Sequence, residues 1–265
     1  WLAPVESRGK LRRGMYTMIR AGTQEKNLKE MITVVNPQNS GQLMLVTDDR
    51  HPGDLIEEGH IDYLVRMAIA EGTEPMTAVQ MATINTAAYF GLKDVGAVAP
   101  GFQADFAVLD DLEQVTVSRV IKGGRVVAAD GRPLAFEPVL PVRGIRGTVN
   151  IDNASIVDMS VKAEGGRMKV IGIVPGQIVT EKLVLEPKVE DGLAVADTER
   201  DLLKMAVVER HTASGNVGIG FVRGVGLKRG AIASSVAHDS HNVIVVGTND
   251  ADMRAAVIEI ARMNG

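Results

Sequence analysis

Residues 43–62 read LMLVTDDRHPGDLIEEGHID. Four apolar residues run into Thr47, two adjacent acids, an arginine and a histidine. A nearly all-apolar run of this length suits a parallel strand covered on both faces. The polar stretch after it marks that strand's carboxyl end, which is where parallel α/β folds place their chemistry. Two readings of Asp48 and Asp49 follow. Either both belong to the cap and turn before a helix at Leu55, or one faces a site while the other caps or pairs with Arg50. Adjacent side chains on an extended chain diverge, so the two acids are not expected to do the same job.

Outward from this stretch, strand and helix signals alternate. GMYTMI (14–19) reads as a strand. GTQEKNLKEMITVV (22–35) reads as a helix start, with Thr23 as N-cap and Leu28, Met31, Ile32 and Val35 at helical spacing. DLIEEGHIDYLVRMAIAEG and EPMTAVQMATINTAAYFG read as helical, with Pro75 in a first turn. Strand, helix, strand, helix predicts an α/β layer or barrel. From about residue 95 the chain is rich in β-branched residues, and Gly123-Gly124 separates two apolar runs, a hairpin signal. A small β unit is expected over 95–134 and a proline-bearing linker over 135–147. The last part, 148–265, is expected to be an α+β layer. Its strands are sought in TVNIDNASIVDMSVK, MKVIGIVPGQIVTEKLVL, GLAVAD, AIASSVA and NVIVVG, with a helix in ERDLLKMAVVERH (199–211) and another over 249–263 capped by Asn249.

Composition narrows the function. The chain has 265 residues, 45% of them hydrophobic and 23% charged, enough for about two domains with a sizeable core. A net charge of -4 gives no electrostatic grip on nucleic acid, and 3% aromatics are too few for a base-stacking surface. With no cysteine, disulfides and thiolate metal sites are excluded and a reducing cytoplasm is the expected setting. No apolar run nears bilayer length, so no membrane partner is expected. The first residue is Trp1 rather than Met, which suggests a fragment or a processed chain.

Several other residues are candidates for chemistry. His51 and His60 flank the helix start after the two acids, with His60 close in sequence to Glu57 and Asp62; a surface or structural histidine is the alternative. AHDSHN places His238, Asp239 and His241 in a loop between two apolar strands. Two histidines three apart with an acid between them suit a metal or a polar ring, and a plain polar turn is the competing account. His211 becomes a companion if the fold brings it near. GNVGIGFVRGVGLKRG (215–230) is glycine-rich, but a strand follows it and its lysine is misplaced for a phosphate loop; tight turns explain it better.

These stretches together resemble the C-terminal half of bacterial-type adenine deaminases, in the amidohydrolase superfamily. PGFQADFAVLD is general to amidohydrolases, whereas TDDRHP and SSVAHDSHN resemble the deaminase family specifically. The resemblance implies residues 1–94 as the last part of a (β/α)8 barrel, with GMYTMI as strand seven and QLMLV as strand eight. A small β domain segment and a deaminase-type C-terminal domain complete the implied fold. It implies hydrolysis of adenine to hypoxanthine and ammonia, two divalent metals (Mn2+ or Fe2+), adenine as small-molecule partner, and a homodimer. Asp48 matches the family's last metal ligand and proton carrier. Asp49, Arg50, His51 and His60 would shape the rim, Asp49 orienting Arg50, and His238, Asp239 and His241 would close over the barrel mouth. The family's HxH pair is absent, as are the acid and histidines of strands four to six. The chain alone is therefore expected to be inactive. Another cyclic-amide amidohydrolase, or a non-catalytic folding or dimerisation module, are the competing classes.

Overall fold

The computed structural model describes residues 4–134, 147–151 and 158–265. The chain divides into two units, Trp1–Val139 and Leu140–Gly265. Residues 135–146 of the expected linker lie outside the described residues.

The first unit opens with a helix the sequence reading did not anticipate, α1 (Pro4–Leu11). The strand β1 (Thr17–Arg20) pairs in parallel with β2 (Leu43–Val46), with Thr17 beside Leu43 and Arg20 beside Val46. Ile19, Leu43 and Leu45 share one face of this pair and join a core with Leu28, Met31, Leu64, Val65, Ala68, Ala78 and Met81. Each fully buried leucine contributes roughly 2 kcal/mol of hydrophobic stabilisation. Met18, Met44, Val46 and Arg20 point to the other face.

Between the strands, the helix expected over 22–35 is much shorter. α2 spans Leu28–Met31, tightens into a 3-10 turn over Ile32–Val34, and has Asn27, not Thr23, at its N-cap. Thr23 is drawn away because its hydroxyl donates to Asp54. After β2 come α3 (Pro52–Glu57), α4 (Ile61–Ala70), α5 (Pro75–Ala82) and α6 (Ile84–Tyr89). On α4, Leu64, Val65 and Ala68 are buried and Ile61 packs beside them, the i, i+3, i+4, i+7 stripe of a one-sided helix. On α5, Pro75 takes the first turn and the Glu74 carboxylate caps it, accepting from the Met76 and Thr77 amides at 3.0 and 2.7 Å.

A four-stranded antiparallel meander follows: β3 (Phe106–Asp111), β4 (Thr116–Lys122), β5 (Arg125–Ala129) and β6 (Arg132–Pro133). The hairpin signal holds: Lys122 pairs with Arg125 around Gly123 and Gly124, whose φ values of 56° and 76° suit only glycine-like residues.

The second unit contains β7 (Met168–Ile173), β8 (Thr180–Leu185), the short antiparallel pair β9 (Lys188–Glu190) and β10 (Leu193–Val195), β11 (Leu202–Val208), β12 (Val217–Arg223), β13 (Ala231–Ser234) and β14 (Val243–Gly247). Six of these form one sheet in the order β13-β14-β11-β12-β7-β8, antiparallel except where β12 meets β7. The helix expected over 199–211 is instead β11, a central strand. Leu202, Leu203, Ala206 and Val208 are buried there, and the Lys204 ammonium finds two acceptors, so the run can lie inside a sheet. The helix α7 (Asp250–Met263) buries Met253, Val257 and Ile260 against Ala206, Val208, Val243 and Val245. Asn249 caps it as expected, its side chain accepting from the Asp252 amide at 2.8 Å.

The glycines of 215–230 divide into two kinds. Gly218 and Gly220 lie inside β12, not in a turn. Gly224, Gly226 and Gly230 have φ of 105°, 75° and 82° and serve as turns. The Gly224 and Gly226 amides bind the Asp201 carboxylate at 3.0 and 2.8 Å, so a side chain of the protein itself occupies them. Among the described residues no helix is long and apolar enough to cross a membrane.

Candidate functional site

Because β1 and β2 are parallel, their carboxyl ends lie side by side. Arg20 closes β1, and Asp48 stands two residues beyond β2. Asp48 has φ of 59°, a left-handed conformation that Asp tolerates better than most residues. Its carboxylate accepts from the Arg20 guanidinium. The same guanidinium forms an ion pair with Glu25, whose side chain is only 2% exposed, and Glu25 in turn accepts from the Asn27 amide at 2.5 Å.

Asp49 turns the other way. Its carboxylate accepts from the Gln24 amide at 3.2 Å and its carbonyl from the Thr23 amide at 2.9 Å, tying the 22–24 loop to the 48–51 loop. The two adjacent acids thus diverge, and neither caps α3, whose N-cap is His51 without a side-chain bond. The Thr23 hydroxyl accepts from the His51 amide at 3.0 Å and donates to Asp54. That hydroxyl holds the Asp54 carboxyl below its ordinary value, helped by the nearby Arg50 charge.

Arg50 does not follow the expectation of a rim residue oriented by Asp49. Its side chain is 2% exposed, donates to Glu58 at 2.6 Å and to the Asp54 carbonyl at 3.1 Å, and lies 4.6 Å from the Tyr63 ring centre. Burial beneath Tyr63 makes it a brace between α3 and α4. His60 returns toward the strand end: its Nε2 lies 3.2 Å from Oγ1 of Thr47, the neighbour of Asp48. Its backbone amide binds Asp62 at 2.8 Å. Burial pushes the Asp62 carboxyl up, but that amide and Arg66 outweigh it and leave it below the ordinary value.

Arg20, Glu25, Thr23 and Asp54 were missed by sequence reading. A strand ending in arginine with a glutamate five residues on was the only available signal. Their partners lie 28 to 31 positions away for Arg20 with Asp48 and Thr23 with Asp54.

In the second unit, His238 pairs with Asp239 and both side chains are exposed. The His238 and His241 rings stand 5.7 Å apart, tilted by 59°. His211 comes near the backbone of this loop, its Nε2 lying 2.8 Å from the Ser240 carbonyl. Arg210 donates to the His241 carbonyl and to the Thr148 carbonyl and hydroxyl at 3.1 and 3.0 Å. The loop is therefore held through its backbone, leaving the His238 and Asp239 side chains projecting.

Two cavities of about 530 and 560 Å³ gather around Gly72, Thr73 and Glu74, where α4 connects to α5, and Asp48 lines neither. Among the described residues no three His, Asp or Glu side chains come together to hold a metal ion.

Comparison with known proteins finds matches in both units. Residues 6–127 match the amidohydrolase family, and residues 177–265 match the adenine deaminase C-terminal domain. The adenine deaminase of Desulfatibacillum aliphaticivorans is 47% identical over 99% of this chain and 46% of its own length. Adenine deaminase 2 of Carboxydothermus hydrogenoformans is 46% identical over 98% of this chain and 46% of its own length. The adenine deaminase of Oleidesulfovibrio alaskensis is 48% identical over 98% of this chain and 45% of its own length. The chain thus spans a little under half the length of the curated relatives it matches.

Proposed function

We propose that the chain belongs to the adenine deaminase family of amidohydrolases and supplies the carboxylate of Asp48 to the hydrolysis of adenine to hypoxanthine and ammonia. We read β1 and β2 as strands seven and eight of a (β/α)8 barrel. Their parallel pairing supports this, as does the packing of α2, α4 and α5 on the face that carries Ile19, Leu43 and Leu45. On that reading Met18, Met44 and Arg20 face the barrel interior, residues 95–134 form the small β segment, and 148–265 form the C-terminal domain.

One observation carries the proposal: Asp48 stands at the carboxyl end of β2 and bonds across to Arg20 at the end of β1, not to the backbone of its own helix. Water adds to C6 of the purine, and Asp48 takes the proton that the water loses. The carboxylate is acceptor-only when charged and a donor once protonated, so it can return that proton to the departing amino nitrogen. The C6–N bond breaks, ammonia leaves, and the C6 oxygen remains in hypoxanthine.

The family implies a divalent metal. The described residues do not build such a centre alone, because Asp48 has no second or third ligand beside it. Manganese or iron, the paired-metal form and the homodimer rest on the resemblance, and the cytoplasmic setting rests on the cysteine-free composition. His51, Asp49 and His60 are proposed as site-rim residues. His238, Asp239 and His241 are proposed as contacts to the purine.

The test is Asp48→Asn in the full-length protein, read as ammonia released from adenine. Asn keeps the tolerance for a left-handed backbone, so the fold is expected to survive. Turnover is expected to fall on the order of 10²- to 10⁴-fold, the usual worth of a positioned acid-base group. Near-normal turnover would end the proposal. The isolated 265 residues with added manganese are expected to release no ammonia, and strong activity there would show that the residues present suffice.

A further inference from the structure

We propose that Arg20 is the positioning residue for Asp48, anchored from behind by buried Glu25; this rests on the catalytic reading of Asp48 given above. The strand register places Arg20 on the face opposite the helices, at the carboxyl end of β1, so its side chain leaves the core and crosses toward the end of β2. There its guanidinium is forked: Nη2 meets Glu25 and Nη1 meets Oδ2 of Asp48. The planar guanidinium fixes both directions at once, which a lysine ammonium would not.

The burial of the partners differs in a telling way. Glu25 is 2% exposed, and the amide of Asn27 holds its other oxygen at 2.5 Å, so it is a fixed point. Asp48 is 46% exposed and sits on a left-handed backbone, with few other restraints. Among the described residues no hydrogen bond reaches Oδ1 of Asp48, whereas Oδ2 is committed to Arg20. Order therefore runs from Asn27 through Glu25 and Arg20 to one oxygen of Asp48, and the other oxygen is left to meet water and the amino group. Arg20 touches no reacting atom in this scheme. Misplacing a reacting group by about 1 Å can cost on the order of 100-fold in rate, and that is the loss the arrangement guards against.

The experiment uses the full-length protein with Arg20→Lys, Arg20→Ala, Glu25→Gln, Asp48→Asn and the Arg20→Ala/Asp48→Asn pair. Ammonia release from adenine is measured as kcat and KM, alongside circular dichroism and thermal melting. For Arg20→Ala, kcat is expected to fall on the order of 100-fold while KM stays within about 3-fold, and added methylguanidine is expected to restore part of kcat. Glu25→Gln should lose less in the same direction. In the Asp48→Asn background, Arg20→Ala should cost almost nothing more, because the two act as one unit. If Arg20→Ala does not fold, Arg20→Lys carries the same kcat and KM comparison.

Normal kcat in a folded Arg20 variant, a loss confined to KM, or full additivity with Asp48→Asn would overturn the inference. Those results leave the role of Asp48 standing, since Asp48→Asn alone would still lower turnover on the order of 10²- to 10⁴-fold. Retained turnover in Asp48→Asn would instead bring down the underlying reading, whatever Arg20 does.

Discussion

Gly22 lies so close against Asp49 that a Cβ on it would stand 2.0 Å from Oδ1 of Asp49 and 2.9 Å from the Thr47 carbonyl oxygen. The carboxylate could swing aside, but only by giving up the Gln24 amide that it holds at 3.2 Å. The Thr47 carbonyl is backbone and cannot swing. Gly22→Ala is therefore expected to force apart the loops that follow β1 and β2. A loss of about 1–3 kcal/mol is expected, the usual range for overpacking, measured by urea unfolding of the protein and its variant. An unchanged midpoint would mean that the two loops are not held as closely as described.

A second ion pair makes a prediction about asymmetry. Lys204 is 3% exposed and its Nζ lies 2.6 Å from Asp250 and 3.0 Å from the Met159 carbonyl, whereas Asp250 is 43% exposed. Removing the acid strands an ammonium in the sheet, and removing the lysine leaves an acid that water can reach. Asp250→Asn is thus expected to destabilise by about 2 kcal/mol, below the full cost for a pair buried on both sides. Lys204→Met, which keeps the stem, should cost less than Asp250→Asn. Thermal unfolding of the two variants decides it, and the reverse order would refute the argument.

The parts of the fold that were legible in the sequence are those set by local chemistry. β2 was visible as LMLV because a strand covered on both faces is apolar throughout, and α7 was visible through Asn249 and the spacing of Met253, Val257 and Ile260. Gly123-Gly124 announced its hairpin because few other residues accept that turn. β11 was misread because the charged Lys204 interrupts its apolar run, and only the partners of Lys204, 45 and 46 positions away, let that run lie inside a sheet. Thr23 was misread for the same reason: its hydroxyl could serve the nearest helix or a carboxylate 31 positions on, and the fold chose the second. At the candidate site, Asp48 was legible from its place after a strand. Its hold on Arg20 was not, since parallel pairing of β1 with β2 is what brings the two together.

Helix α7 gives a prediction from capping alone. Asn249 accepts from the Asp252 amide at 2.8 Å and donates to the Asp252 carboxylate at 2.6 Å, a reciprocal cap on the first turn. Asn249→Ala leaves that amide without its acceptor and is expected to cost about 1 kcal/mol, while Asn249→Ser, which keeps an oxygen there, should cost less. Denaturant titration of both variants measures the difference, and equal losses would show that the cap contributes nothing specific.

The last prediction concerns pH and the loop that holds the histidines. The Glu209 carboxylate is brought down to about 2, first by the Ser214 and Thr212 amides and further by the Ser214 hydroxyl and the His211 amide. It thereby shapes the turn that carries Arg210 and His211, whose bonds to His241 and Ser240 fix the 238–241 loop. Because the folded value lies below the ordinary 4.5, the carboxylate stabilises the folded form fully above about pH 4.5. That contribution is lost as pH falls through about 2, where the folded form also takes up the proton. The stability difference between the wild type and Glu209→Gln should therefore be constant from neutral pH to about 5 and shrink below it. Unfolding curves at stepped pH give this difference directly. A difference that grew on acidification would mean that Glu209 is bound in the opposite sense to the one described.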